Sequence, residues 1–176
     1  MTMERKWFSQ TGVLDVILWL LFFAGILLIL YAVCYQKKIE RPKGATMLGI
    51  LEIPDIEVSL PIYEGTKEGV LRNGVGHISE SAGLGGGAGT HCLLAGHRGL
   101  PNQTLFTRLG ELKVGDFFFV IQEERYTYRV CEIQVILPEE TDKLICSKEK
   151  ELVSLITCTP YGINTHRLVV TGERIE

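Results

Sequence analysis

Clustered basic charge is missing from this sequence. Its 176 residues contain 18 lysines and arginines against 21 aspartates and glutamates, which gives a formal net charge of −3. There is also no low-complexity tract and no internal repeat. A nucleic-acid-binding domain normally carries a concentrated positive surface. We therefore expect no nucleic-acid partner.

The sequence also lacks the spacing of common metal ligands. It has no Cys-x-x-Cys and no His-x-x-x-His motif, which are typical of structural zinc sites. His91, Cys92 and His97 are close in sequence, but on a strand the two histidines share one face and the cysteine points to the other. The five cysteines are scattered and form no disulfide framework. We expect no metal and no cofactor.

One long apolar run lies near the N-terminus. Residues 16–35 include no charged side chain, and at about 1.5 Å per residue a helix of that length reaches about 30 Å, the thickness of a bilayer's hydrocarbon core. A secretory signal peptide would have a shorter apolar region followed by a small-residue cleavage site. Here bulky Tyr35 and Gln36 precede a cationic stretch instead. The run predicts an uncleaved transmembrane anchor.

This anchor divides the chain into four segments. They are an N-terminal segment at 1–15, the anchor at 16–35, a juxtamembrane linker at 36–46 and a folded domain at 47–176. Lysine and arginine are more frequent just after the anchor than before it, so the positive-inside rule alone would place the domain in the cytoplasm. The functional assignment below requires the opposite topology, and we give that assignment precedence.

Short apolar, β-branched runs follow the linker at even spacing, with Pro, Gly, Asn and Asp between them. The predicted strands are 47–53, 56–63, 91–95, 116–122, 126–135, 152–158 and 167–172. Two pieces of helix are also predicted: a turn capped by Thr66, and residues 102–109, where the apolar residues have helical spacing. The pattern favours a small all-β barrel or sandwich with little helix.

The segment 155–168 carries the strongest functional signal. Cys158 ends an apolar run, and the chain then turns through Pro, Gly and Asn before a second apolar run begins at Leu168. A hairpin with a long connection would place Cys158 and Arg167 on neighbouring strands. A fixed cation beside a thiol is one way in which proteins lower a cysteine pKa or stabilise an oxyanion.

His97 is the third candidate, because it lies between Gly96 and Gly99 at the exit of an apolar strand. Glycine lets a ligand or another backbone approach closely, and a histidine there can serve a thiol nucleophile as general acid and base. From the residues alone, three ordinary alternatives stay open: an inert buried cysteine, a surface histidine and a surface ion-pair arginine. His77 and His91 are predicted to be packing or hydrogen-bonding residues, and His166 should face away from Arg167.

Two long motifs resemble those of sortases, the membrane-anchored cysteine transpeptidases of Gram-positive bacteria. They are THCLLAGHRG at 90–99 and LITCTPYGINTHRL at 155–168, and the second is similar to the pilus-type (class C) branch. LPIYEGT at 60–66 and GVGH at 74–77 also resemble that branch. The likeness covers nearly all of the folded domain.

The resemblance implies a closed β-barrel of about eight strands with short helices, preceded by the single transmembrane helix. It also implies that Cys158 attacks the Thr–Gly carbonyl of an LPxTG-like sorting signal and forms a thioacyl enzyme. His97 would protonate the leaving amine and deprotonate the incoming one, and Arg167 would stabilise the oxyanion. The expected substrate-binding residues are Ala95, Thr157, Thr159 and Tyr161.

The partners implied by the resemblance are LPxTG-bearing surface proteins or pilins, with a pilin lysine or a peptidoglycan precursor as the amine. Pilus assembly is the favoured role. Pilus-type members usually carry a lid with an Asp-Pro-aromatic motif, and residues 36–46 have none, so the attachment of surface proteins to peptidoglycan stays open. A non-catalytic surface β-barrel module is the alternative of another class. The expected location is the cell membrane, with the N-terminus cytoplasmic and the domain extracellular.

Overall fold

The structure, a computed structural model, describes residues 4–35, 42, 44–100, 103–140, 144, 147 and 149–175. The chain divides into two units, residues 1–39 and 40–176. The first contains one helix, α1 (Glu4–Tyr35). Among the helices of the described residues, none combines the length and the apolar character that crossing a membrane requires. The anchor at 16–35 stays a prediction.

The second unit is built around a closed barrel of eight strands, in the order β1-β2-β3-β4-β9-β10-β8-β7. The barrel strands are β1 (Met47–Ile53), β2 (Val58–Glu64), β3 (Val75–His77), β4 (His91–Ala95), β7 (Phe117–Ile121), β8 (Arg125–Ile136), β9 (Leu152–Thr159) and β10 (His166–Arg174). Two short strands, β5 (Arg98–Leu100) and β6 (Gln103–Leu105), pair with each other outside it. The predicted eight-stranded barrel is confirmed.

Helix is sparse in this unit, as predicted. Among the described residues of the unit, it consists of α2 (Glu68–Leu71) and two single 3₁₀ turns, Pro54–Ile56 and Leu109–Glu111. The cap predicted at Thr66 was wrong, since Lys67 takes the N-cap position of α2 and no side chain caps the helix.

The helix predicted at 102–109 was also wrong, because Gln103–Leu105 form β6. The apolar spacing in that segment has another cause. Leu105, Phe106 and Leu109 are at most 4% exposed. Phe106 and Leu109, which follow β6, belong to the main core cluster.

Side-chain alternation along β9 and β10 separates an inner from an outer face. Val153, Leu155 and Val170 point into the main core. Ile156 and Val169, which pair across the two strands, belong to a second and smaller apolar cluster on the outer face. The sheet at β4-β9-β10 is therefore covered on both faces, and the outer face of its strands is where Cys158 emerges.

Charged side chains converge where β10 ends. Glu173 is only 8% exposed, and its carboxylate accepts a hydrogen bond of 2.7 Å from Arg129 of β8 and a second from Lys150. The hydrogen bond from Arg129, followed in size by the one from Lys150, holds the pKa of Glu173 below its ordinary value of 4.5. The buried carboxylate is therefore kept charged by two cations.

We expect this carboxylate to make the free energy of unfolding fall in acid. The folded protein binds the proton at Glu173 more weakly than the unfolded chain does, so its stabilisation is complete above the unfolded pKa and is lost as the pH falls through the lowered folded value. Thermal melts between about pH 6 and pH 3 should show Glu173→Gln less stable at the upper end and with a shallower decline. The same change at Glu123, an exposed turn residue, should keep the wild-type slope. A Glu173→Gln slope equal to the wild type would contradict the prediction.

Candidate active site

The pairing of three chain segments brings the sequence-predicted catalytic residues into one row. β4 runs parallel to β9 with a constant register, from His91 opposite Leu152 to Ala95 opposite Ile156. The register continues past the strand end, since the Gly96 amide donates to the Ile156 carbonyl at 3.0 Å. His97 therefore leaves β4 at the level of Cys158.

On its other side, Cys158 pairs with Arg167 of β10 in the antiparallel register. The predicted adjacency of these two residues is confirmed. Residues opposite each other in an antiparallel pair project from the same face. The thiol therefore lies between the segment that carries the imidazole and the strand that carries the guanidinium.

Cys158 is a free, partly exposed thiol at the outer face of the barrel. Cys92 of β4 shows the contrast, because it is 2% exposed and packs in the main core. Burial raises the pKa of the Cys92 thiol to about 12, so it stays protonated at neutral pH. The alternative that Cys158 is an inert core cysteine does not fit its position.

The exit of β4 is fixed by contacts on both sides of His97. The buried hydroxyl of Thr157 donates to the Gly96 carbonyl at 2.7 Å, and the Phe106 amide donates to the His97 carbonyl at 3.1 Å. A Cβ atom at Gly96 would lie 2.6 Å from the ring of buried Phe106. Glycine at position 96 is thus required by the aromatic ring packed against it.

The segment after Cys158 is bound to the segment after His97. Arg98 donates to the hydroxyl of Thr159 at 2.5 Å. The ring of Tyr161 covers Gly99, which has a φ of 75° and where a Cβ atom would come within 2.6 Å of that ring. Arg98 was not among the sequence-predicted site residues, although it directly follows His97.

Four residues were predicted to bind substrate, and the structure places all of them along these two segments. Ala95 ends β4, and Thr159 and Tyr161 follow the nucleophile, with Tyr161 64% exposed. Thr157 points inward, is 2% exposed and uses its hydroxyl to hold Gly96. Contact with substrate stays a prediction for each of them.

Arg167 is oriented by the loop that precedes it. Its Nη1 donates to the carbonyls of Asn164 and His166, at 3.2 and 3.0 Å. Asn164 has a φ of 61°, a left-handed conformation that asparagine adopts more readily than most residues. Within the described residues, the remaining donors of the guanidinium have no partner, so they are available to a developing oxyanion.

The imidazole of His97 contacts an acidic side chain that was not predicted to belong to the site. Its Nε2 lies 3.3 Å from Oε2 of Glu68 in α2. The other carboxylate oxygen, Oε1, accepts a hydrogen bond of 2.8 Å from Arg72. The hydrogen bond from Arg72 and, to a smaller extent, the one with His97 keep the pKa of Glu68 below its ordinary value. The group beside the imidazole is therefore a carboxylate.

The other histidines have structural contacts. His77 is buried, with Nδ1 at 3.0 Å from Glu64 and Nε2 at 3.0 Å from the Ala82 carbonyl. The Nε2 of His91 lies 2.8 Å from the Ser154 hydroxyl. The prediction that these two pack or form hydrogen bonds is confirmed. Over the described residues, no group of three or more His, Cys, Asp or Glu side chains could hold a metal ion.

Comparisons with known proteins identify one family. A family model for the Sortase domain matches residues 51–175. The chain is 33% identical over 144 residues to sortase D of Bacillus subtilis, which covers 80% of this chain and 70% of that protein. Among solved structures, sortase C1 of Streptococcus agalactiae is 46% identical with a TM-score of 0.70, over 74% of this chain and 68% of that one. A pilus island 1 sortase C2 of Group B Streptococcus is 43% identical with the same TM-score, over 74% of each chain.

Proposed function

The chain belongs to the sortase family of cysteine transpeptidases, and on that premise we propose that it cleaves an LPxTG-like sorting signal between Thr and Gly and transfers the new acyl group to an amine. The observation that carries this proposal is the row of His97, Cys158 and Arg167 across β4, β9 and β10. In acyl transfer, Cys158 would be the nucleophile, His97 the general acid and base, and Arg167 the oxyanion donor.

In the first half-reaction, the sulfur of Cys158 attacks the carbonyl carbon of the threonine. The tetrahedral oxyanion forms on the side of Arg167, whose free N–H donors stabilise it. When the intermediate collapses, the C–N bond breaks and His97 donates a proton to the departing glycine nitrogen. A thioester on Cys158 and a free amine on the released fragment result.

In the second half-reaction, an incoming amine attacks the thioester and gives its proton to His97. The C–S bond then breaks, and the thiolate is restored beside a protonated imidazole. Each half-reaction thus starts from the charge state that the other leaves, and no external acid or base is consumed.

The favoured amine is a pilin lysine, so we propose a role in pilus assembly. The support is that two similar solved structures are sortase C enzymes, at 46% and 43% identity. One of those structures is a sortase from a pilus island. For the acyl donors we propose LPxTG-bearing pilins.

A second candidate role is the attachment of surface proteins to peptidoglycan. It is favoured by one sequence observation: the chain contains no Asp-Pro dipeptide, so it lacks the lid motif usual in pilus-type members. The chemistry on the enzyme is the same in both roles, and only the accepting amine differs.

We also propose that the enzyme works at the outer face of the cell membrane, held by one span at 16–35 with residues 1–15 in the cytoplasm. Two things support this. The run is apolar and uncharged over a length that suits a bilayer, and surface proteins and pilins are substrates located outside the cell. Reaction of an impermeant thiol reagent with Cys158 in intact cells would test the topology.

The amine decides between the two roles. The full chain is given an LPxTG peptide together with either a lysine-bearing pilin domain or a peptidoglycan cross-bridge amine at equal concentration, and ligation products are quantified by mass spectrometry. We expect isopeptide formation on the pilin lysine to exceed ligation to the wall amine about tenfold, the ratio that about 1.4 kcal/mol of transition-state preference gives. Ligation to the wall amine alone would end the pilus proposal.

A further inference from the structure

Helix α2 places the carboxylate of Glu68 beside the imidazole of His97. The helix packs on β3, which pairs with one edge of β4, whereas β9 with Cys158 pairs with the other edge. We propose that Glu68 is a positioning residue, which fixes the tautomer of the His97 imidazole and stabilises its protonated form during acyl transfer. This inference rests on the proposed function, since it assigns a fourth residue to the same reaction.

Helix α2, which carries Glu68, is held in place by buried contacts and hydrogen bonds. Val70 of α2 is 5% exposed, and its carbonyl accepts hydrogen bonds from the amides of Asn73 and Gly74. A Cβ atom at Gly76 of β3 would lie 3.0 Å from a methyl group of Leu71. Since β3 pairs with β4, the helix is anchored to the strand next to the one from which His97 emerges.

The hydrogen-bond pattern determines which ring nitrogen carries the proton. A carboxylate can only accept hydrogen bonds, so the contact of 3.3 Å between Oε2 of Glu68 and Nε2 of His97 requires an N–H at Nε2. In the part of the chain that the structure describes, Nδ1 has no hydrogen-bond partner. The neutral ring therefore offers the lone pair of Nδ1 for proton transfer.

Charge adds to this orientation. When His97 takes a proton from the incoming amine, the imidazolium forms 3.3 Å from a carboxylate, which stabilises the cation. The charged and titratable side chains on the elements around the ring are Glu68 of α2, Arg72 after it, Arg98 next to His97, Cys158 of β9 and Arg167 of β10. Glu68 contacts the ring directly, whereas the contact of Arg72 is with the other oxygen of the carboxylate and not with the ring.

A purely structural reading of Glu68 is the competing explanation, because Glu68 and Arg72 form an exposed ion pair one helical turn apart. Such exposed pairs contribute little to stability. Replacement of either partner removes that pair, but only replacement of Glu68 removes the contact with His97. Arg72→Gln is therefore the matched control for Glu68→Gln.

The test compares the wild-type full chain with Glu68→Gln, Glu68→Ala and Arg72→Gln, in cleavage and transfer of a fluorogenic LPxTG peptide across pH. We expect kcat to fall about tenfold in Glu68→Gln and further in Glu68→Ala, which is part of the total that acid–base catalysis contributes. KM should change less than about twofold, since no substrate contact is removed. Arg72→Gln should keep kcat within about twofold of the wild type.

The pH profile separates positioning from stability. In Glu68→Gln, the limb of the kcat/KM profile that follows protonation of His97 should move to lower pH, because a neutral amide no longer stabilises the protonated imidazole. Arg72→Gln should leave that limb in place or move it upward. Both variants should melt within a few degrees of the wild type.

Three results would overturn the proposal: kcat of Glu68→Ala within about twofold of the wild type, equal losses in Glu68→Gln and Arg72→Gln, or a loss with an unchanged pH profile. Each of these presupposes an active wild-type chain. A wild type without turnover on any LPxTG peptide would instead count against the proposed function, so the two failures are distinguishable.

Discussion

Replacement of Cys158 by alanine should abolish both thioester formation and transfer, with a loss in kcat on the order of 10⁴-fold or more. The reason is that Cys158 supplies the one thiol in the row of His97, Cys158 and Arg167, and the thioester forms on that sulfur. Intact-protein mass spectrometry after incubation with an LPxTG peptide should show the acyl adduct on the wild type and none on Cys158→Ala. Ligation to an added amine should disappear in parallel.

Cys92→Ala is the matched control, because it removes a thiol from the neighbouring strand without touching the row. Cys92 is buried in the barrel core, and burial raises its pKa to about 12. The variant should lose some stability from lost packing, yet acylate at the wild-type rate. Acylation of the Cys158→Ala protein would show that another residue is the nucleophile, and an intact cellular role for it would favour the non-catalytic barrel module.

The strands of this barrel are predictable because their side chains alternate between a core and an outer face. The predicted strand at 91–95 coincides with β4 (His91–Ala95), and the hairpin predicted within 116–135 is formed by β7 and β8. The segment at 102–109 shows the limit of the method. Its apolar residues are buried from a short strand and from the turn that follows it, and their burial produced the spacing of a helix.

Strand order is harder to predict, since it depends on pairings between segments that are far apart in sequence. β4 pairs with β9 in parallel, with 61 positions between partners such as Ala95 and Ile156. No turn motif signals such a contact. Parallel pairing needs a crossover connection, which leaves no local signature of register. The family resemblance supplied the eight-stranded barrel where the pattern alone left a barrel or a sandwich open.

Some residues of the candidate site are predictable from the sequence and others are not. Cys158 and Arg167 are linked by one hairpin, so sequence spacing predicts that they are neighbours, and the register confirms it. Glu68 contacts His97 from 29 positions away, and Arg98 contacts Thr159 from 61. A charged residue on a short helix, or next to a catalytic histidine, has no distinctive local pattern. Only the folded barrel shows which side chains they meet.

Substitution of Arg167 by lysine should reduce kcat about 10²-fold, and substitution by alanine about 10³-fold, which is the range measured for loss of one oxyanion donor. Lysine keeps the positive charge but has no planar fork of five N–H donors. The arginine uses Nη1 on the carbonyls of Asn164 and His166, and among the described residues its other donors have no partner. An ammonium group cannot hold those carbonyls and at the same time bond an oxyanion in a fixed direction.

Arg108→Lys provides the same chemical change away from the site. Arg108 forms a fork with Glu111 and donates to the Ile56 carbonyl, so its replacement costs a comparable set of hydrogen bonds. We expect normal acylation rates in Arg108→Lys and slow acylation in Arg167→Lys, measured in single turnovers with excess enzyme. If Arg167→Lys acylates within about threefold of the wild type, charge alone is sufficient and the guanidinium does not act as the oxyanion donor.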